Sequence, residues 1–200
     1  MVFGSSGKEA YRGYDAKRFR FTRMHEEIER YLEASGVAWT HLRPSQFMQV
    51  FLRETPTVVA DGALFLPFED TQQFSPVAVE DVARVACELL VRAGHESKSY
   101  DLTGPEALTL PEISDRIAEA IGKPVRFVEI TPAERRQALL SAGVSPYFAD
   151  AMDEQTNERR RCRQSTVHLA THELFGIRPT TFAEFARRHA GVFRGESLRA

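Results

Sequence analysis

Apolar positions along this chain fall into two alternating patterns: short runs of strand type, and stripes at helical spacing. Met1-Val2-Phe3 reads as a short buried strand entering Gly4-Ser5-Ser6-Gly7. Residues 8–21 are polar with scattered aromatics and read as a loop. A helix then starts at Thr22 or Arg23, with Met24, Ile28 and Leu32 on one stripe. Glu26, Glu27, Arg30 and Glu33 fall on its polar side, and Gly36 stops it. Val37–Arg43 reads as a strand ended by Pro44. Strand, helix and strand together form a βαβ unit with parallel strands. Ser45–Leu52 is expected as a short helix. Thr57–Phe68 is expected as two apolar runs around an Asp61-Gly62 hairpin turn. Asp81, as an N-cap, opens a helix with Val82, Val85, Ala86 and Leu89 on its stripe, closed by Gly94. Ser99–Leu102 and Pro124–Ile130 read as further strands.

The second half carries three capping boxes, Thr109-x-x-Glu112, Thr131-x-x-Glu134 and Thr181-x-x-Glu184, each predicting a helix start. Pro146–Leu174 is expected to be helical with breaks. The alternation places the chain in the α/β class.

The 200 residues suit one domain, and 26 basic against 28 acidic residues leave a net charge of −2. That balance supplies no electrostatic reason for a nucleic-acid or anionic membrane partner. No apolar run is long enough to span a bilayer, and the N-terminus lacks a signal-peptide pattern. Cys87 and Cys162 form no disulfide framework or zinc spacing, so a reducing cytoplasm is the default expectation and no metal is expected. His168 and His172 stand four apart without the H-E-x-x-H pattern of a metal site. The basic run Arg159-Arg160-Arg161-Cys162-Arg163 reads as a solvated helix face.

Two segments carry a family resemblance. Arg23–Met48, through Ser35-Gly36, Leu42-Arg43-Pro44 and Phe47-Met48, resembles a stretch of the NmrA-like atypical short-chain dehydrogenase/reductases. Ser75–Ala83 with Tyr100-Asp101-Leu102-Thr103-Gly104-Pro105-Glu106 is similar to two further stretches of that family. The resemblance implies a partial Rossmann-type parallel sheet with a small α+β substrate-binding lobe. The sheet part is expected mainly in residues 1–52 and 77–102, and the lobe mainly in 53–76 and 103–200. It also implies NADP or NAD as cofactor, and reduction of a small quinone, azo or carbonyl compound.

By the same resemblance, Gly4, Ser5, Pro44, Ser45, Gln46 and Phe47 would approach the cofactor. Tyr14, Phe47 and Met48 would approach the substrate. Ser5 and Ser6 would orient a carbonyl or quinone oxygen. His25 stands where many relatives carry a lysine near the cofactor ribose, and it could donate a hydrogen bond or act as an acid. Glu29, four residues on, shares its helix face and could hold its tautomer. No Y-x-x-x-K dyad occurs, so protons are expected from solvent.

The chain departs from the family pattern in lacking a G-x-G-x-x-G turn for the cofactor pyrophosphate. About 80–100 residues, three βα units, would precede this sequence in a full family member. Three readings stand open. One is a longer natural protein. The second is a partner chain, such as a second copy, that covers the exposed sheet edge. The third is a non-catalytic binding protein of redox-sensing type, or a cofactor-free enzyme using His25 with Ser5 or Ser6.

Overall fold

The computed structural model describes residues 2–3, 20–161 and 163–196. A three-stranded parallel sheet takes the order β1 (Val2–Phe3), β2 (Thr40–Pro44), β5 (Lys98–Leu102). Helix α1 (Arg20–Ala34) connects its first two strands. Parallel register runs Val2 opposite His41 and Leu42 opposite Tyr100, as the strand–helix–strand pattern predicts.

A 3-10 turn, Met48–Glu54, follows β2 and continues into α2 (Thr55–Asp61). Then come β3 (Ala63–Leu66), β4 (Gln73–Phe74) and α3 (Val79–Val91). After β5 the chain forms β6 (Leu108–Thr109), α4 (Leu110–Ile121) and β7 (Arg126–Glu129). The remainder is helical: α5 (Pro132–Ser141), α6 (Pro146–Arg159), α7 (Ala170–Phe175), α8 (Phe182–Arg188) and α9 (Ala190–Phe193). Strand β3 pairs parallel with β7, and β4 pairs antiparallel with β6.

Two apolar cores result. One joins Leu42, Tyr100 and Leu102 of the sheet to Val82 and Val85 of α3 and Phe175 of α7. The other joins Met48 and Phe51 to Leu64, Ile113, Ile117, Phe182 and Phe185. Phe182 meets Phe51 edge-on at 5.3 Å between ring centroids, a favoured aromatic geometry.

All three capping boxes form, with each threonine accepting from the N3 amide and each glutamate returning to the cap. Their partners lie within four residues, so local sequence suffices to specify them. At the third, Arg178 and the Thr181 amide hold the Glu184 carboxyl at about 2, below its ordinary 4.5. The folded value lies below the unfolded one. The carboxylate therefore supports α8 above pH 4.5, and that support is lost as pH falls toward 2. We expect Arg178→Ala to return the Glu184 titration, followed by carboxyl NMR, toward its ordinary value.

Four local expectations are corrected. Asp61-Gly62 makes no hairpin. Val58 is buried against the second core, Pro56 starts α2, and Gly62 ends it at φ 59°. The same Asp-Gly pair that turns a hairpin also stops a helix, and burial of Val58 decides between them.

The Met24–Ile28–Leu32 stripe of α1 does not turn inward. Met24 and Ile28 are 45% and 48% exposed, while Glu29 is buried. Polar pairing sets this rotation. Glu29 receives both Nε and Nη2 of Arg43, at 3.0 and 2.7 Å. Glu33 bonds the fully buried His41 at 2.9 Å. Leaving Arg43 and His41 without these partners would cost more than exposing two apolar side chains.

Asp81 is not an N-cap. Ala78 takes that place, and Asp81, with no exposed surface, accepts from the Thr180 amide and hydroxyl and from Arg84. Nor is the basic run a free surface. Arg159 donates to Gln46, Arg160 to the Pro67 carbonyl and Glu129, and Arg163 to Glu69. Guanidinium forks are used here to tie the end of α6 to distant loops.

Candidate functional site

Leu42-Arg43-Pro44 ends β2, and the chain then leaves the carboxyl edge of the parallel sheet. In open α/β sheets this edge is where ligands bind. The turn Ser45-Gln46-Phe47 is held from several directions. The Ser45 amide donates to the Leu102 carbonyl at 2.8 Å, and its hydroxyl donates to the Ser75 carbonyl at 2.6 Å. The Val77 amide donates to the Gln46 carbonyl, and the Met48 amide to the Val77 carbonyl, both at 2.9 Å.

Beside this turn lies a cavity of about 510 Å³. Ser45, Gln46 and Phe47 form one side. The 3-10 turn and α2 contribute Phe51, Arg53, Glu54 and Thr57, and the segment after β3 contributes Pro67 and Phe68. The opposite wall is helical, with Arg135 and Leu139 from α5 and Phe148, Met152, Gln155, Thr156 and Arg159 from α6. The walls are mostly aromatic and aliphatic, with polar groups at a few fixed points, the usual composition of a small-molecule site.

Two long-range pairs fix the helical wall. Arg135 of α5 donates to both oxygens of the buried Glu54, at 2.6 and 3.2 Å. Arg159 of α6 donates to the Gln46 side-chain oxygen. Charge-assisted and bidentate bonds of this kind orient as well as hold. Among the described lining residues the ionisable groups are Arg53, Glu54, Arg135 and Arg159. Such a lining suits an apolar molecule with a few polar groups.

The residues singled out from sequence are placed as follows. Ser45, Gln46 and Phe47 line the cavity. Pro44 is buried within β2, opposite Leu102. Met48 is 1% exposed and packs in the second core, behind the cavity wall. Gly4, Ser5, Ser6 and Tyr14 lie outside the described residues. His25 is half-buried on α1. Glu29, expected to orient it, is clamped by Arg43, and this pairing raises the Arg43 guanidinium further above its ordinary value.

The pairs Glu33–His41 and Glu29–Arg43 set how α1 lies along β2. Each step of four along α1 toward its start corresponds to two residues along β2 toward its end. His25 stands one turn before Glu29 on α1 and is not among the residues that line the cavity. His172 is structural: its Nε2 bonds the Thr103 carbonyl at 2.9 Å, docking α7 on the end of β5.

Glu54, Phe68, Arg135, Phe148 and Arg159 were not legible as site residues. Helix α5 buries no residue, so no apolar stripe marks it, and the partners of Arg135 and Arg159 stand 81 and 113 residues away in sequence.

The NmrA-like family matches residues 10–186. An NAD(P)H azoreductase of Xenophilus azovorans is 34% identical over 167 residues, 84% of this chain and 58% of that protein. A (4-alkanoyl-5-oxo-2,5-dihydrofuran-3-yl)methyl phosphate reductase of Streptomyces griseus subsp. griseus is 33% identical over 185 residues, 91% of this chain and 64% of that protein. The fold is that of an Escherichia coli NADPH-dependent quinone oxidoreductase solved with NADPH. That structure matches with a TM-score of 0.78 at 23% identity, over 93% of this chain and 63% of that one. The chain therefore spans less than two thirds of the length of these relatives.

Proposed function

From the premise that this chain belongs to the NmrA-like family, we propose that it supplies the substrate-binding part of an NAD(P)H-dependent reductase of small quinone, azo or carbonyl compounds. The observation that carries the reading is the aromatic-walled cavity at the carboxyl edge of the parallel sheet, beside Ser45-Gln46-Phe47. Support comes also from the reductase names of relatives at 34% and 33% identity.

The cofactor fits this chain at one end. The Ser45–Phe47 turn, braced by Ser75 and Val77, offers a fixed backbone and a flat aromatic face to a nicotinamide ring. The pyrophosphate end has no G-x-G-x-x-G turn in this sequence. Bound NAD(P)H would supply the hydride. This chain's residues bind and orient the acceptor. Phe47, Phe68 and Phe148 hold its plane, and Gln46, Thr156 and Arg159 fix its polar edge. Protons reach the product from solvent.

The test is oxidation of NADPH and of NADH by the purified protein with a small para-quinone as acceptor. Acceptor-dependent oxidation is expected. Dinucleotide binding without oxidation would point instead to a non-catalytic, sensing role, and quinone turnover without dinucleotide to a cofactor-free enzyme.

His25, one turn before the Arg43-bound Glu29 on α1, is assigned a hydrogen bond to the bound cofactor or acceptor. We expect His25→Ala to lower kcat/KM roughly tenfold, the worth of about one such bond, with an unchanged urea midpoint. An unchanged kcat/KM would remove His25 from the site.

A further inference from the structure

We propose that the helical hairpin α5–α6 is a lid over the cavity, hinged at its base and latched toward its tip by Arg20 of α1. The inference rests on the cavity being the substrate site. The two helices are joined by residues 142–145 and tied side by side, Arg136 donating to Asp150 at 2.7 and 3.0 Å. One face of α5, with Arg135, Ala138, Leu139 and Ala142, looks into the cavity.

The hairpin is held to the body mainly by polar groups. Neither apolar core takes a side chain from residues 132–159, and α5 buries no residue. Segments with few buried apolar contacts form the low-stability end of a structure, from which lids are drawn.

The polar ties differ between base and tip. At the base, Arg135 donates to both oxygens of buried Glu54, and Arg159 donates to Gln46. Arg160 donates to the Pro67 carbonyl at 2.9 Å and to Glu129 at 3.3 Å. Glu129 stands two residues before Thr131, the cap of α5, so Arg160 draws the entry and exit of the hairpin together. Toward the tip, Arg20 donates to Glu154 at 2.5 Å and to the Tyr147 carbonyl at 3.3 Å. Its guanidinium also stands 4.6 Å from the centre of the Tyr147 ring. Here Tyr147 is 59% exposed, and the Glu154 side chain 38%. An ion pair so open to water is weak. It closes the lid without locking it, while the buried pair at the base keeps the hinge in place.

The experiment measures association and dissociation rates of the neutral probe 2-naphthol by stopped-flow fluorescence, without cofactor. Neither Arg20 nor Glu154 lines the cavity. Arg20→Gln and Glu154→Gln are each expected to raise both rates by about threefold. Kd is expected to stay within about twofold of the wild type, because an easier opening speeds entry and exit alike. A second measurement needs no bound probe. Thr156 lines the cavity and is buried. The new thiol of a Thr156→Cys variant, followed by peptide mass, is expected to react with a bulky aromatic disulfide about threefold faster once Arg20→Gln is added. Unchanged probe rates, or a weaker Kd through dissociation alone, overturn the lid and leave the substrate site standing. Should 2-naphthol not bind, the reading of the cavity as the substrate site falls, and a thiol rate unmoved by Arg20→Gln overturns the lid as well.

Discussion

Gly104→Ala is expected to destabilise the protein by about 3 kcal/mol or more. A Cβ built at Gly104 stands 1.9 Å from the Pro76 carbonyl oxygen and 3.0 Å from its carbon. Both are backbone atoms, so no side chain can swing aside. The two segments must part. What parts with them is the brace of the cavity turn. The Gly104 amide donates to the Ser75 carbonyl at 3.3 Å, and the same carbonyl receives the Ser45 hydroxyl at 2.6 Å. Val77, one residue beyond Pro76, exchanges bonds with Gln46 and Met48. A displaced Pro76 therefore loosens the Ser45–Phe47 wall as well as the fold. The check is the urea midpoint together with affinity for an aromatic probe. Both are expected to fall, and a midpoint equal to that of the wild type would refute the close approach.

Asp81→Ala is expected to cost about 3 kcal/mol. Asp81 has no exposed surface and receives the Thr180 amide at 2.6 Å, the Thr180 hydroxyl at 2.8 Å, and Arg84. Thr180 is itself buried. Removal of the carboxylate leaves an amide N–H away from water with no acceptor, at the point where the chain enters α8. That helix brings Phe182 and Phe185 into the second core. The loss is expected as a lower urea midpoint and as faster hydrogen exchange at the Thr180 amide. Asp81→Asn keeps one acceptor oxygen and is expected to lose less. Equal losses for the two variants would mean that the carboxylate acts by charge alone, through Arg84.

Both residues stand in stretches that resemble the NmrA-like family, yet their physical roles were not legible there. Gly104 in Thr103-Gly104-Pro105-Glu106 is an ordinary turn glycine until Pro76 is brought against it. Asp81 at the start of a helical stripe reads as a cap, because a carboxylate near a helix start has a local use. Its real partner stands 99 residues later. The α1 stripe misled for the same reason. Met24, Ile28 and Leu32 have the right spacing, but pairing with Arg43 buries Glu29 instead, and Glu33 bonds the buried His41.

At the site, Ser45, Gln46 and Phe47 were legible because they follow a recognisable strand end. Residues on the helical wall were not. A pocket wall made by α5 and α6 need not be an apolar stripe, since part of what it faces is the cavity and not packed core.

By itself the sequence determined the features whose forces act over a few residues. These are the α/β alternation, the parallel strand–helix–strand unit and the three capping boxes, each closed by hydrogen bonds within four positions. The resemblance in Leu42-Arg43-Pro44 and its neighbours also marked the sheet edge beside which the cavity lies. Tertiary structure alone decided which face of α1 is buried, whether Asp61-Gly62 turns a hairpin or stops a helix, and which arginines surround the cavity. The second of these turns on burial of the apolar Val58, the others on the cost of burying an unpaired polar group. That cost has no value until folding brings the distant partner, or fails to bring it.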